Sequence, residues 1–398
     1  LEKFPNSIIL HNMLGASNVG LKQLDAAIDN FKQVLKIDPN NAIAYNNMGN
    51  ILKDKGDLEA ALKHYKKALK INPSYEIYYN MGIALKRNGH LQAAADSYRQ
   101  AIKIKPDYAD AYNNLGNALQ DKGDRQAAIE NFKVALKVDP GNVSAAWNLA
   151  GTANNISGSK SWLEHCLLLD QDHLKAKLTL SALKYYDGNK SDFNDLMQSS
   201  LRDHPQMRSF AWVFNLPELP RLHFNRWALF DDIVSQSIQD RPFYEFGVWR
   251  GESFQYLINT FNKGYGFDTF EGLPEDWHYE KAGSYASDGN IPQIKGGEFI
   301  VGKFDDTLAA FFSVLRPMAS IINFDADLYS STVCALNYSK PVIDQNTILI
   351  FDEFIINENW EQDEYKALTE FCLKNSYTYE VLAISFMSKQ VAVRLVGI

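Results

Sequence analysis

Small, aromatic and proline positions recur along the first 150 residues with a period of about 34. Gly15, Gly49, Gly82, Gly116 and Ala150 hold one small position, and Ala27, Ala61, Ala94 and Ala128 hold a second, twelve residues on. Phe31, Tyr65, Tyr98 and Phe132 follow four residues later, and Pro39, Pro73, Pro106 and Pro140 close each unit. This pattern predicts two antiparallel helices per unit. The small residues permit close helix crossing and the aromatics fill the gap behind them. The proline is expected to open the next helix, where its missing N–H costs nothing.

Four full units are expected at roughly 8–41, 42–74, 75–108 and 109–142, so that 1–150 forms one array. The pattern resembles the tetratricopeptide repeat. That resemblance implies an all-α superhelix whose concave face binds an extended peptide or packs against a neighbour. Asn47, Asn80, Asn114 and Asn148 recur two residues before the small position, with Asn50 and Asn117 at a second recurring site. A ladder of amides, each both donor and acceptor, suits a peptide main chain, and it resembles the asparagine ladder of protein O-GlcNAc transferases. The alternative is that these amides bond within the array, which then serves as scaffold or dimerisation surface. Residues 151–204 stay helical but lose the consensus, as a degenerate repeat or a helical linker.

From about 205 the period changes. Trp212, Phe214, Phe224, Trp227, Phe230 and Ile233 predict helices with an aromatic side, broken by NLPELP at 215–220. PFYEFGVWRGES at 242–253 reads as strand, glycine turn and helix, the helix beginning at Ser253, and GYGFD is a second strand ending in Asp268. EFIVGKFDDTLAAFF supplies a third strand and a helix capped by Asp305 or Asp306. SIINFDADLYSST and NTILIFDEF are fourth and fifth strands ending in paired acids, and residues 380–396 alternate about Ser388–Lys389 as a terminal antiparallel hairpin. The expectation for 205–398 is a helical lead-in followed by a Rossmann-like α/β domain with a mostly parallel seven-stranded sheet.

The strand tips carry the candidate chemistry. Glu245 and Gly247 close the first strand, Gly251 leaves room for close approach, and Asp268 lies about 20 residues beyond, where a carboxylate can accept from ribose hydroxyls. Helix capping is the plainer role for Asp268. Phe304 is expected near a bound base. Asp325, Asp327, Asp352 and Glu353 converge at adjacent tips. Four carboxylates there repel unless a cation neutralises them, and hard oxygen ligands suit Mg²⁺, or Mn²⁺ or Ca²⁺. The alternative is that some acids cap helices while others face water. Arg226 could reach a ligand but is not among the candidate site residues.

EFGVWRGES, GFDTFEGLPEDW, the GSY…GNIP loop, GKFDDTL, DADLYSST and FDEF with WEQDEYKA, in that order over roughly 226–398, resemble the macrocin O-methyltransferase family of class I S-adenosylmethionine-dependent enzymes. The resemblance implies that Glu245, Gly247 and Asp268 line the S-adenosylmethionine site. It further implies that Asp325, Asp352 and Glu353 hold Mg²⁺ and that Asp327 is the general base. This chain has Asp352–Glu353 where some members have two aspartates. The implied acceptor is a hydroxyl of a sugar, glycoconjugate or related metabolite, with the loop around 274–296 as a lid and the repeats recruiting a partner or the substrate. A repeat scaffold with an inactive methyltransferase-like domain is the alternative.

A formal net charge of −8 argues against general nucleic-acid binding. Three scattered cysteines exclude a disulfide framework and a zinc knuckle. No apolar run reaches the roughly 20 residues of a membrane span. The chain opens on Leu1, so a preceding segment is expected to be missing; cytoplasmic location is the default, and a homodimer is an open expectation.

Overall fold

Each repeat folds because one face of its second helix is apolar at helical spacing. Ala27, Phe31 and Val34 are buried along α2 (Leu24–Ile37), which pairs with α1 (Ile8–Gly20). The same pattern recurs in α3 (Ala42–Asp54) with α4 (Leu58–Ile71), α5 (Tyr75–Arg87) with α6 (Leu91–Ile104), and α7 (Ala109–Asp121) with α8 (Arg125–Val138). Asn41, Asp57, Ser74 and Asp124 cap helices through side-chain oxygens that accept from the N–H three residues on. The prolines do not open helices. Pro39, Pro73, Pro106 and Pro140 each directly follow a helix C-cap and lie before the next helix, so they end the preceding helix.

The small positions act as expected. A Cβ added at Gly116 would stand 2.5 Å from the Phe132 ring, and Gly15, Gly49 and Gly82 face Phe31, Tyr65 and Tyr98 in the same way. Gly116→Ala is therefore expected to overpack α7 against α8. The expected cost is about 1–3 kcal/mol, read as a lower denaturation midpoint with unchanged slope.

The computed structural model describes residues 4–278, 280–287 and 289–397. It comprises two compact units, one ending at Asn148 and the other beginning at Leu149. After α9 (Val143–Gly151), the second unit continues with α10 (Ile156–Leu169), α11 (Leu174–Tyr186), α12 (Ser191–Met197) and α13 (Pro205–Phe214). A mixed α/β region follows: β1 (Arg221–His223), α14 (Arg226–Gln236), β2 (Phe243–Phe246), α15 (Glu252–Phe261), β3 (Gly264–Asp268), β4 (Gly297–Val301) and α16 (Phe304–Phe311). It ends with β5 (Ile321–Phe324), α17 (Tyr329–Ser339), β6 (Ile348–Phe351), α18 (Glu364–Asn375), β7 (Thr378–Ser385) and β8 (Val391–Val396).

The sheet has eight strands in the order β1-β7-β8-β6-β5-β2-β3-β4, one more than expected. The extra strand, β1, is three residues long and pairs in parallel with β7 after the proline-rich break, too short to carry a period of its own. Strands β4, β3, β2, β5 and β6 run parallel, while β8 is antiparallel to both β6 and β7. Lys303 stands at the N-cap of α16 without a side-chain bond, and Asp305 and Asp306 lie in its first turn. Trp227, Phe230 and Ile233 of α14 and Phe254, Leu257 and Phe261 of α15 pack with Phe243, Ile321 and Ile350 of the sheet in one core.

Candidate functional site

Four phenylalanines align the strand ends. Phe267, Phe246, Phe324 and Phe351 are fully buried and neighbours in register on β3, β2, β5 and β6. Their rings stack at 4.7, 5.5 and 4.9 Å with planes within 16°. The residue after each phenylalanine is Asp268, Gly247, Asp325 or Asp352, so the stack sets these four abreast at one edge. Between β2 and β5 the strand order reverses, the place where open α/β sheets form a ligand crevice.

At β2, Gly247 turns with φ +88, and a Cβ there would stand 1.9 Å from the carbonyl oxygen of Asp325. The turn thus lies directly on the β5 tip. Asp268 braces it from the other side: Oδ2 accepts from Val248 N and Trp249 N, both at 2.7 Å, and Oδ1 accepts from Phe270 N at 2.6 Å. These three N–H bonds use most of the capacity expected to serve ribose hydroxyls. Ser253 is likewise engaged, its Oγ donating to Glu245 Oε1 at 2.6 Å. The helix that follows begins at Glu252, with Gly251 as its left-handed N-cap. Phe304 opens α16 and meets Phe246 edge-on at 5.6 Å.

Glu245 is fully buried, and burial pushes its carboxyl up to about 8 against the Ser253 hydrogen bond. Among the described residues its Oε2 makes no hydrogen bond, though the neighbouring Asn323 side chain helps to hold the carboxyl down. Because the folded value is raised, Glu245 contributes stability fully present below its unfolded value near 4.5, and that contribution is lost as pH rises towards about 8. The unfolding free energy is expected to fall across this window with a slope of at most about 1.4 kcal/mol per pH unit from this group. Glu245→Gln should flatten that slope in denaturant titrations at several pH values; an unchanged slope would exclude Glu245 as its source.

Asp325, Asp327, Asp352 and Glu353 stand near enough to act on one another, with company the sequence did not announce. Enclosure, then Asp352, raises the Asp325 carboxyl well above its ordinary range, opposed by Arg226. Asp327 is raised by enclosure, then by Glu353 and Asp352. It has φ +59 and no hydrogen-bond partner among the described residues. Asp352 pairs with Arg226 and accepts from Gln390 Nε2 at 2.7 Å, while Glu353 Oε2 meets Lys389 Nζ at 2.6 Å and Asn357 Nδ2 at 2.7 Å. Glu364 accepts from Glu353 N at 3.0 Å, and burial raises its carboxyl well above the usual range. Among the described residues, no group of three or more His, Cys, Asp or Glu side chains is arranged to hold a metal ion.

Sequence reasoning set Arg226 aside and missed Lys389, Gln390, Trp249 and Tyr285. Trp249 and Tyr285 meet edge-on at 5.8 Å, both with positive φ. Tyr285 is 42% exposed, and partial enclosure, then Asp327, raises its phenol. Nothing in the spacing of these residues singles them out; only the fold brings them to the tips. Of the expected lid, Tyr279 and Asp288 lie outside the described residues. Within that loop, His278 Nε2 lies 3.0 Å from Asp363 Oδ2.

In the helical unit the amides bond along the array. Asn80 Nδ2 donates to Asn46 at 3.2 Å, Asn114 Nδ2 to the Tyr79 hydroxyl at 2.9 Å, and Asn148 Nδ2 to Asn113 at 2.8 Å. The Tyr65 hydroxyl donates to Asn50 at 2.7 Å. Part of the capacity of Asn80, Asn114 and Asn148 is therefore spent between repeats, and that of Asn50 within one.

The stacked helical hairpins define a repeat-array protein in this part of the chain, and family models give its kind. Models of the TPR repeat match residues 21–56, 49–89 and 87–123, and that of the tetratricopeptide repeat matches 109–142. Among solved structures, the chain is similar to the MamA protein at 27% identity over 42% of this chain and 94% of that one, with a TM-score of 0.38. YrrB, described as a TPR protein with an unusual peptide-binding site, is similar at 21% identity over 44% and 92%, TM-score 0.38. PilF of Pseudomonas aeruginosa is similar at 18% identity over 48% and 90%, TM-score 0.43. No curated protein matches the chain in sequence. Among the described residues, no helix is long and apolar enough to cross a membrane.

Proposed function

We propose that the chain couples a tetratricopeptide array that recruits a protein or peptide to an α/β region that transfers a methyl group from S-adenosylmethionine to a hydroxyl. The observation that carries the second half is the switch between β2 and β5, where the Gly247 turn lies on the acid-bearing tip of its neighbour. The order β4-β3-β2-β5-β6 follows the dinucleotide-binding pattern, and its completion by the antiparallel pair β8 and β7 favours a methyltransferase over a nicotinamide enzyme. For the first half, the matched repeats and the carbonyl groups left on the Asn80, Asn114 and Asn148 amides support peptide recognition.

The residues at the turn fit an adenosyl cofactor through the unpartnered Glu245 Oε2 and the Phe304 ring at the adjacent tip. Bound there, S-adenosylmethionine supplies an electrophilic methyl group. Asp268 holds the turn's shape. Asp327 faces the site with an open carboxylate to take the acceptor's proton, and its raised pKa makes the ionised form a stronger base than an ordinary carboxylate. The Tyr285 phenol beside Asp327 would orient a hydroxyl-rich acceptor, a sugar, glycoconjugate or related metabolite. The carboxylates named for Mg²⁺ do not fit a metal as arranged, because Asp352 and Glu353 already hold cations of the chain.

Calorimetric titration of the full chain with S-adenosylhomocysteine tests the reading. Saturable one-to-one binding is expected; no binding by a folded sample overturns it. That second result would favour a scaffold whose α/β region is inactive and whose matched repeats recruit a partner.

A further inference from the structure

An ion bound through carboxylates needs oxygens that are open to it. Asp352 has a donor on each oxygen, Arg226 on Oδ2 and Gln390 on Oδ1. Arg226 Nη2 also stands 3.8 Å from Asp325 Oδ2. Glu353 Oε2 takes both Lys389 Nζ and Asn357 Nδ2. Two elements far apart in sequence therefore deliver one cation each to the β6 tip, and Arg226 also stands beside the β5 tip.

Each cation is held by its own local structure. Arg226 opens α14, whose cap, Asn225, accepts from Ala228 N at 2.9 Å and donates to the Gly151 carbonyl at 3.0 Å. Helix α14 is thereby fixed at the end that carries the guanidinium. Lys389 sits in the β7–β8 turn with φ +71, a conformation that costs a lysine energy unless its surroundings hold it. The Ser385 and Ser388 hydroxyls, 2.6 Å apart, and the Ser388 N–H bond to Ser385 Oγ hold that turn. A turn built only to reverse the chain would take glycine or asparagine there.

We infer that Arg226 and Lys389 are the counter-ions of this acidic centre, standing in for a divalent metal, so that the α/β region binds its ligand without one. Together they bring the same two positive charges as Mg²⁺. A divalent ion entering beside them meets both charges at short range, so its entry requires both to leave. The inference deepens the methyl-transfer reading and rests on it for the nature of the ligand; the metal question itself stands on the ion pairs.

The test uses Mn²⁺ as a paramagnetic probe, titrated into metal-stripped full chain and followed by electron paramagnetic resonance and thermal melting. The wild type is expected to show no saturable site up to millimolar Mn²⁺. The double variant Arg226→Met with Lys389→Met is expected to gain one site, at least tenfold tighter, with a metal-dependent rise in Tm confined to the variant. If the double variant shows no cooperative melt, Arg226→Gln with Lys389→Gln replaces it, removing the same two charges while leaving amide donors beside Asp352 and Glu353. One equivalent of Mn²⁺ on the wild type, lost in Asp325→Asn, overturns the inference. So does a double variant that folds and gains no site. S-adenosylhomocysteine binding that vanishes with EDTA overturns it while leaving the methyl-transfer reading intact. Absence of that binding with and without metal overturns the methyl-transfer reading alone, and the Mn²⁺ titration still decides this one.

Discussion

Gly247→Ala is expected to destabilise the α/β unit by about 3–5 kcal/mol, combining the left-handed backbone cost with severe overpacking. The residue has φ +88, and its added Cβ would stand 1.9 Å from the Asp325 carbonyl oxygen, with the Asp325 carbonyl carbon at 2.6 Å and Ala326 N at 3.2 Å. These are backbone atoms, so no side chain can rotate away. Relief requires the β2 and β5 tips to separate, which strains the Asp325 N–H bond to the Phe246 carbonyl at 2.8 Å and the Gly247 N–H bond to the Phe267 carbonyl at 2.9 Å. The same movement carries Asp325 away from Arg226 and opens the crevice. Unfolding followed by near-ultraviolet signals from Trp227 and Trp249 should therefore move to lower denaturant. S-adenosylhomocysteine binding should weaken along with it, while the repeat array keeps its own transition. A variant with wild-type stability would mean that the two tips are not in contact.

Asp327→Asn is expected to leave the fold intact and to lower methyl transfer about 10²–10⁴-fold, the usual contribution of a positioned general base. The change is isosteric and removes one of four mutually repelling acids, so Tm should hold or rise. Because Asp327 is raised by enclosure, then by Glu353 and Asp352, the wild-type rate should climb with pH through that raised value, as the base must be ionised to act. In the variant this acid limb should disappear with the activity, and cofactor affinity should change little. Loss of cofactor binding together with activity would instead assign Asp327 to the binding surface. An unaltered rate would remove it from the chemistry.

The expected prolines and the expected metal set differ from the structure for related reasons. A proline's position in a repeat shows where a helix cannot continue, and Pro39 or Pro140 satisfies that after one helix as well as before the next. Acids at two strand tips show that a cation is needed, but not whose. The sequence places Asp325 and Asp352 near one another through strand periodicity. It carries no sign that Arg226, about a hundred residues earlier, completes the balance.

Periodicity by itself determined the helical hairpins, since glycine against aromatic at a constant spacing admits one close crossing, seen at Gly15, Gly49, Gly82 and Gly116 alike. It also determined the strands that end in Asp268, Asp325 and Asp352, because an apolar run closed by an acid marks a strand leaving the core. Tertiary structure alone decided which tips stand abreast, through the stack of Phe267, Phe246, Phe324 and Phe351. It alone spent Asp268 on the Gly247 turn, Ser253 on Glu245, and the asparagine amides on neighbouring repeats. The physical reason is that hydrogen bonds and ion pairs are short-ranged and saturable. Their partners are set by which segments meet in space, whereas the hydrophobic pattern that drives those segments together is written locally along the chain.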